Sequence, residues 1–229
     1  MLEIIRIHNE LLGTYGDRGN ADVLKFRAAL RKVKVKITDI SYLEPLPRAG
    51  DIYLLGGAED AAQLLSLTAL RKGSVLARSA QKGAVVLAIC AGFQILGSKY
   101  VTREEEVTGL GLLDVTTVPG DRRLVGDIAI QTELFDFPLT GFENHSSVTT
   151  LGTEAKPFGR VIQGNGNGVS ALDGAIANNV FGTYLHGPVL ARNPEFADLL
   201  LERALGIPMA RVDDELAQQY AKWRRTLVK

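Results

Sequence analysis

Hydrophobic and polar residues in the first part of the chain alternate in a way that is typical of strands followed by helices. Short runs rich in branched apolar residues predict strands at 2–8, 33–40, 51–55 and 84–89. The last run is apolar throughout, as in a strand buried on both faces of a parallel sheet. Apolar residues at helical spacing predict helices from about position 20 and from about 59 to 81, the second broken near Gly73. This alternation predicts an α/β fold with a doubly wound, mostly parallel sheet flanked by helices.

From about Val107 the pattern changes to short strands separated by glycine turns. These strands are predicted at 107–118, 124–132, 141–144, 159–163, 168–172 and 175–184. Gly164-Asn-Gly-Asn-Gly168 predicts a tight turn between two of them. Closing helices are predicted at 194–205 and 213–227. No linker or repeat separates the two halves, so we predict one domain over residues 1–229 with a more antiparallel second half.

The junction after the strand at 84–89 carries Cys90, the one cysteine among 229 residues. Ala88 and Gly92 stand two positions before and after it. Such small residues permit a sharp strand-to-helix turn with a nucleophile at its apex. At the start of a helix the dipole favours a thiolate, and the amide of Ala91 would face a developing oxyanion. Because a lone buried cysteine is often only a small hydrophobe, this candidate requires partners elsewhere in the chain.

A cysteine nucleophile needs a base, and the chain contains three histidines. His186 ends an apolar strand and is followed by Gly187-Pro188, so it is the candidate expected to meet Cys90 above the sheet. His8 stands at a strand end and is better interpreted as a structural residue. His145 lies in a polar loop, where both interpretations remain open.

Two further positions are candidates for contact with a substrate. Gly57 follows the strand at 51–55, where a glycine lets the backbone approach a ligand closely and offers an N–H group to an oxyanion. Gln94 lies one helical turn after Cys90 and could touch the same substrate.

Composition and charge restrict the classes of partner. Lys and Arg number 26 and Asp and Glu also 26, so the formal net charge of zero gives no electrostatic basis for binding nucleic acid or an anionic membrane. One cysteine excludes an internal disulfide and a multi-cysteine metal site, and fits a reducing compartment. The charged N-terminal stretch and the lack of a long apolar run predict a cytoplasmic protein that does not insert into a membrane.

Cys90-Ala-Gly-Phe-Gln94 together with the distant His186 resembles the class I (triad) glutamine amidotransferases. In that family the cysteine attacks the side-chain amide of glutamine, the histidine moves the proton, and the released ammonia passes to a synthetase. The resemblance implies L-glutamine as substrate and Cys90 and His186 as catalytic residues, with no metal and no cofactor in this chain. The substrate-binding residues that it implies are Gly57, Ala91, Gln94 and Arg123.

The third catalytic group is left open. Most of the family carries a glutamate two residues after the histidine to orient it, and here that position is Pro188. His186-Gly-Pro instead resembles the cobyric-acid-synthase-like branch. The orienting carboxylate could then come from Glu143 or from a partner subunit. We also expect Asp17 and Arg18 near the mouth of the site.

Within that branch an ordered set of motifs is similar to the amidotransferase subunits of lipid II isoglutaminyl synthases, over residues 2–206. The motifs are Tyr15-Gly-Asp-Arg-Gly-Asn20, Gly56-Gly57, Glu143-Asn-His145, the turn at 164–168 and Gly182-Thr-Tyr-Leu-His-Gly-Pro188. The resemblance implies a heterodimer with a MurT-like ligase of the Mur-ligase family, which would hold ATP and Mg²⁺ and amidate the D-glutamate α-carboxyl of lipid II. Consistent with that division, this chain lacks a Gly-x-x-x-x-Gly-Lys-Ser/Thr phosphate loop.

Three alternatives remain at this stage. The chain could be the ammonia-supplying subunit of a cobyrinate-type amidase, although it has no fused ATP-binding domain. It could be a stand-alone cysteine hydrolase of related fold, which would not form a thioester from glutamine. It could also be a non-catalytic binding subunit, against which intact Cys90 and His186 argue.

Overall fold

The computed structural model of the chain describes residues 1–102 and 105–228. Its strands in chain order are β1 (Leu2–Ile7), β2 (Val35–Ile40), β3 (Ile52–Leu55), β4 (Val85–Ile89), β5 (Lys99–Val101), β6 (Glu106–Thr108), β7 (Val115–Gln131), β8 (Leu139–Leu151), β9 (Gly159–Gln163), β10 (Leu172–Asp173), β11 (Ala175–Ala177) and β12 (Val180–Thr183). Its helices are α1 (Asn9–Leu12), α2 (Gly19–Leu30), α3 (Asp60–Arg71), α4 (Val75–Gln81), α5 (Ala91–Leu96), α6 (Val189–Arg192), α7 (Pro194–Leu205) and α8 (Glu215–Thr226).

The first sheet has six strands in the order β11-β12-β4-β3-β1-β2. All neighbouring pairs in it are parallel except the edge pair β11–β12. Every residue of β3 and β4 is buried, which explains why these segments are apolar on both faces. The carboxyl ends of β1, β3, β4 and β12 meet at one edge of the sheet, and that edge is where groups from distant parts of the chain can act together.

The second sheet also has six strands, in the order β10-β9-β7-β5-β6, with β8 paired to β7. All of its pairs are antiparallel except β5–β7. The long β7–β8 ribbon changes register between Pro119 and Leu124. The predicted α/β class, a mostly parallel sheet followed by a more antiparallel second half, is therefore confirmed.

The predicted break near Gly73 is confirmed, since α3 ends at Arg71 and α4 begins at Val75. The predicted bounds of five strands were wrong, and of the strand predicted at 168–172 only Leu172 lies in a strand, β10. The segment 175–184 is a hairpin of β11 and β12 rather than one strand, and 107–118 is interrupted between β6 and β7. The predicted strands at 124–132 and 141–144 are parts of the much longer β7 and β8. Pairing between the two partners of each hairpin, rather than local pattern, determines these boundaries.

Buried ion pairs join the ends of the chain. Arg27 on α2 forms ion pairs with Asp198 on α7 and with Asp214, which precedes α8. The side chains of Arg27 and Asp214 are 5% and 4% exposed, so solvent screens this contact little. No helix in the two described ranges is long and apolar enough to cross a bilayer.

Replacing Arg27 by methionine should therefore destabilise the fold, because Asp214 would lose its counter-ion and Asp198 would keep only Arg31. We expect the free energy of unfolding to fall by about 3–5 kcal/mol, measured by urea denaturation. The exposed Arg6–Asp39 pair provides the control, and Asp39→Asn should cost about 1 kcal/mol or less. Equal, small losses for both variants would contradict a structural role for the Arg27 cluster.

Candidate active site

Cys90 occupies a sharp turn between β4 and α5. Its backbone adopts φ 52° and ψ −108°, a conformation that a residue with a side chain tolerates only where the surroundings enforce it. The amide of Cys90 donates to the carbonyl of Thr183, and that of Gly92 to the carbonyl of Gly56. A Cβ on Gly92 would lie 2.7 Å from Leu55 Cβ, so only glycine permits this close approach of helix and strand. The predicted elbow is the geometry observed.

His186 follows β12 and is fixed by its backbone. Its N–H donates to the carbonyl of Phe142, and its own carbonyl accepts from the N–H of Phe142. The ring is 3% exposed and faces Tyr15 at a centroid distance of 5.1 Å. Its Nδ1 lies 3.0 Å from Oδ2 of Asp17. Nε2 is buried without a nitrogen or oxygen partner in the described residues, which leaves it available to the sulfur of Cys90.

Asp17 supplies the orienting carboxylate that the sequence analysis assigned to Glu143 or to a partner. It comes from the loop between α1 and α2, and its side chain is 2% exposed. Oδ2 accepts from the N–H of Gly57 as well as from His186. Asn20, in the first turn of α2, accepts a hydrogen bond from Leu190 N–H, which attaches the start of that helix to the segment after His186.

Glu143 is engaged elsewhere, so that prediction is corrected. Its carboxylate accepts from the N–H of Asn165, from Nδ2 of Asn165 and from the N–H of Gly166. These contacts occupy both carboxylate oxygens on the Gly164–Gly168 turn. Glu143 therefore holds the turn and does not orient His186.

Electrostatics distinguish the two histidines near the sulfur. Burial alone lowers the pKa of His186, but hydrogen bonding and charge attraction from Asp17 and Cys90 outweigh burial and raise the pKa well above its ordinary value. Burial and the positive charge of His186 lower the pKa of His145 to about 4. At neutral pH the ring of His186 is thus cationic and that of His145 neutral.

A small cleft opens beside the sulfur. Its lining combines the start of α3, the elbow, and the polar stretch of β8. The lining residues are Tyr15, Ala58, Glu59, Asp60, Gln63, Cys90, Ala91, Gln94, Arg123, Asn144, His145, Ser146 and Ser147. The amide of Ala91 has no hydrogen-bond partner in the described residues, as an oxyanion donor requires.

Gln94 and Arg123 both line this cleft, but in different ways. The amide of Gln94 is used within the protein, since Oε1 accepts from Gln63 and Nε2 donates to Ser147 and Tyr184. Arg123 donates from Nε to Asn144 and from Nη2 to Tyr15, and it forms no ion pair with a carboxylate in the described residues. Arg123 is thus placed to receive an anionic group, whereas Gln94 shapes the wall.

The structure directs Gly57 away from the predicted oxyanion contact. Its N–H donates to Asp17 at 3.0 Å, and the carbonyl of Gly56 on the same peptide unit accepts from Gly92 at 3.1 Å. Both ends of the Gly56–Gly57 peptide are therefore satisfied outside the cleft, and Gly57 does not line it. The assignment of Gly57 to substrate binding stays a prediction that this conformation does not realise.

The remaining histidine lies away from the sulfur. His8 has φ 48°, is 1% exposed, and its Nδ1 lies 2.8 Å from Ser66 Oγ. It contributes to the wall of a larger groove between α3 and the loop after β2. Neither Cys90 nor His186 lines that groove. In residues 1–102 and 105–228 no group of three His, Cys, Asp or Glu side chains could hold a metal ion.

Comparison with known proteins agrees with this geometry. Residues 3–194 match the model of the CobB/CobQ-like glutamine amidotransferase domain. The chain is 36% identical over 96% of its length to subunit GatD of the glutamine-hydrolyzing lipid II isoglutaminyl synthase of Streptococcus pneumoniae, and 38% identical over 93% to that of Staphylococcus aureus. It covers 89% and 90% of those two proteins. A cobyric acid synthase of Pelotomaculum thermopropionicum is 34% identical over 63% of the chain, which covers 30% of that protein.

A solved structure supports the fold. PurLQS from Thermotoga maritima matches with a TM-score of 0.62 and 15% identity, covering 89% of this chain and 97% of that one. At this identity the likeness concerns the arrangement of strands and helices alone. The family model covers most of the chain, and the elbow, His186 and the cleft occupy the expected edge of the sheet. The chain therefore belongs to the CobB/CobQ-like glutamine amidotransferase family.

Proposed function

We propose that this chain is the glutamine-hydrolysing subunit of a lipid II isoglutaminyl synthase. The observation that carries the proposal is the Cys90, His186 and Asp17 set beside a small cleft, in a chain that matches GatD proteins nearly end to end. A cysteine next to a cationic, carboxylate-oriented histidine is suited to acyl transfer.

In the proposed reaction the thiolate of Cys90 adds to Cδ of glutamine. The N–H of Ala91 receives the developing oxyanion. His186 transfers its proton to the departing nitrogen, the C–N bond breaks, and ammonia leaves a thioester on Cys90. His186, now neutral, then takes a proton from water as the water attacks the thioester, which releases glutamate and restores the thiolate–imidazolium pair.

The charges of the cleft suit a free amino acid. Arg123, Glu59 and Asp60 all line it, and the hydroxyl of Tyr15 lies between two of them, accepting from Nη2 of Arg123 at 3.3 Å and donating to Glu59. We assign the α-carboxylate of glutamine to Arg123 and its α-ammonium to the acidic pair, because each group would then meet the opposite charge. The cleft would thus accept a zwitterion and place its side-chain amide toward the sulfur.

An amide cannot be made from a carboxylate without activation, so a partner is part of the proposal. We propose a heterodimer with a MurT-like ligase of the Mur-ligase family, which would bind ATP and Mg²⁺ and receive the ammonia. The acceptor would be the D-glutamate α-carboxyl of lipid II, in peptidoglycan synthesis and in the cytoplasm.

The ammonia-supplying part of a cobyrinate-type amidase is the second candidate. Cobyric acid synthases share the amidotransferase region, but the Pelotomaculum protein aligns with 63% of this chain, whereas the two GatD proteins align with 96% and 93% of it. The difference in coverage favours the first candidate. A stand-alone hydrolase would be active without a ligase, and it would not form a thioester from glutamine.

The decisive experiment measures nitrogen transfer in the purified complex. With the ligase, ATP, lipid II and glutamine labelled at the amide nitrogen, we expect labelled isoglutamine to form. Cys90→Ser should abolish this transfer because the thioester cannot form, while amidation with added ammonium should continue, since the ligase is intact. Transfer of label by folded Cys90→Ser complex would contradict the mechanism, and amidation of cobyrinate instead of lipid II would favour the second candidate.

The source of the orienting carboxylate gives a second prediction. Because Asp17 lies within the chain, the chain without its partner should hydrolyse glutamine measurably. Asp17→Asn should lower kcat by on the order of 10²–10⁴, because the ring of His186 loses its orientation and its counter-charge. Glu143→Gln should lower kcat less than about tenfold while reducing the free energy of unfolding by about 1–3 kcal/mol. If kcat in a steady-state glutaminase assay fell further in Glu143→Gln than in Asp17→Asn, Glu143 would be the residue that orients His186.

A further inference from the structure

A second buried carboxylate lies behind His186 and outside the cleft. Asp173 is fully buried, at 0% exposure, where the chain passes from β10 in the second sheet to β11 in the first. It forms no ion pair with Arg or Lys in the described residues. A buried carboxylate without such a counter-ion needs other groups to satisfy it.

The groups that satisfy Asp173 belong to the segment that carries His186. Oδ2 accepts from Oγ1 of Thr183, and Oδ1 accepts from the N–H of Tyr184 at 3.2 Å. Oγ1 of Thr183 in turn accepts from the N–H of Leu185 at 3.1 Å. One carboxylate therefore organises the three residues that precede His186.

The position of Asp173 is itself fixed. Its carbonyl accepts from Phe158 N–H, and the side chain of Asn167 bonds both the N–H and the carbonyl of the adjacent Gly174. Gly174 has φ 64°, and a Cβ there would lie 2.1 Å from the carbonyl oxygen of Gly182, so only glycine fits. Asn167 belongs to the Gly164–Gly168 turn that Glu143 holds. The polar cluster behind the site thus aims Asp173 at the strand of His186.

Asp173 and His186 also interact through their charges. Burial raises the pKa of Asp173 to about 7, against hydrogen bonds from Thr183 and Tyr184, and Glu143 raises it further while the charge of His186 lowers it. Above this pH the carboxylate is ionised and attracts the imidazolium. The other titratable groups that act on His186 are Asp17, Cys90 and, from β8, His145.

We propose that Asp173 is a positioning residue for His186, holding the Thr183–Leu185 backbone and adding a negative charge that favours the protonated ring. Its role differs from that of Asp17, which touches the ring directly. The inference rests on the proposed glutamine hydrolysis for its kinetic readout, but its electrostatic part can be measured without catalysis.

The kinetic test compares two buried acids of the same cluster. Asp173→Asn keeps the shape and one acceptor but removes the charge. We expect kcat/KM for glutamine to fall by about tenfold at pH 8, and the alkaline limb of its pH profile to move down by about half a unit to one unit, since the imidazolium is less stabilised. Glu143→Gln also removes a buried charge, but Glu143 bonds Asn165 and Gly166 rather than the segment that carries His186, so the limb should move less than in Asp173→Asn. An unmoved limb in Asp173→Asn, or the same shift in Glu143→Gln, would overturn the proposal.

A second measurement separates this inference from the proposed function. NMR titration of the histidine ring protons, assigned with His186→Gln, should show a lower midpoint for His186 in Asp173→Asn. This result is expected even if the wild-type chain hydrolyses no glutamine, which would contradict the function alone. An unchanged midpoint would overturn the electrostatic role.

Thermal stability provides a further control, because the ionised carboxylate of Asp173 favours the protonated ring of His186 but destabilises the folded state. The pKa of Asp173 is raised by folding, so its ionisation destabilises the native state as pH rises through about 7. The thermal midpoint of Asp173→Asn relative to wild type should therefore rise between pH 5 and pH 8. A relative midpoint that is the same at both pH values would contradict a buried, titrating carboxylate at this place.

Discussion

One oxygen atom, Oδ2 of Asp17, joins the two halves of the active site. It accepts hydrogen bonds from Nδ1 of His186, which follows β12, and from the N–H of Gly57, which follows β3. Both donors would otherwise be buried without a partner, and an unsatisfied buried donor costs about 1–3 kcal/mol. The contact therefore stabilises the fold and orients the base at once. The loop after α1 has to pack at the carboxyl edge of the sheet for either to occur.

The loop reaches that edge because the segment after His186 leaves room for it. A Cβ on Gly19 would lie 2.6 Å from Cγ of Pro188, so the loop and the His186-Gly-Pro turn are in direct contact. Where the wider family has an orienting glutamate two residues after its histidine, this chain has Pro188, and the carboxylate comes from the loop between α1 and α2. The chemical requirement for a carboxylate at Nδ1 is met by a different part of the sequence.

Sequence patterns identified the parts of this site that depend on neighbours along the chain. The run before Cys90 and the small residues around it define a strand, a turn and a helix, so the elbow could be predicted from position alone. His186 was found because it also ends an apolar strand. Asp17 gives no such signal, since its role depends on a packing contact with residues about 170 positions away. The loop had been expected near the mouth, but nothing in its pattern identified Asp17 as the orienter.

The same difference between local pattern and distant contacts applies to a hairpin. The hairpin of β11 and β12 was predicted as one strand, since Asn178 and Asn179 are the only local indication of a turn between them. Its existence matters, because it returns the chain beside β4 and brings Thr183 and His186 next to the elbow.

The structure requires glycine at position 57 for a reason that differs from the predicted one. It was selected for an N–H that would face an oxyanion, yet that N–H holds Asp17. A Cβ at this position would lie 2.7 Å from Cε1 of His186 and 2.8 Å from Cδ2 of Tyr15. Glycine is therefore required here by the close approach of the imidazole to the end of β3, whatever the amide does during the reaction. Any side chain at residue 57 would move His186 away from Asp17 and Cys90. The packing and the chemistry of the site therefore both depend on the absence of a Cβ at this position.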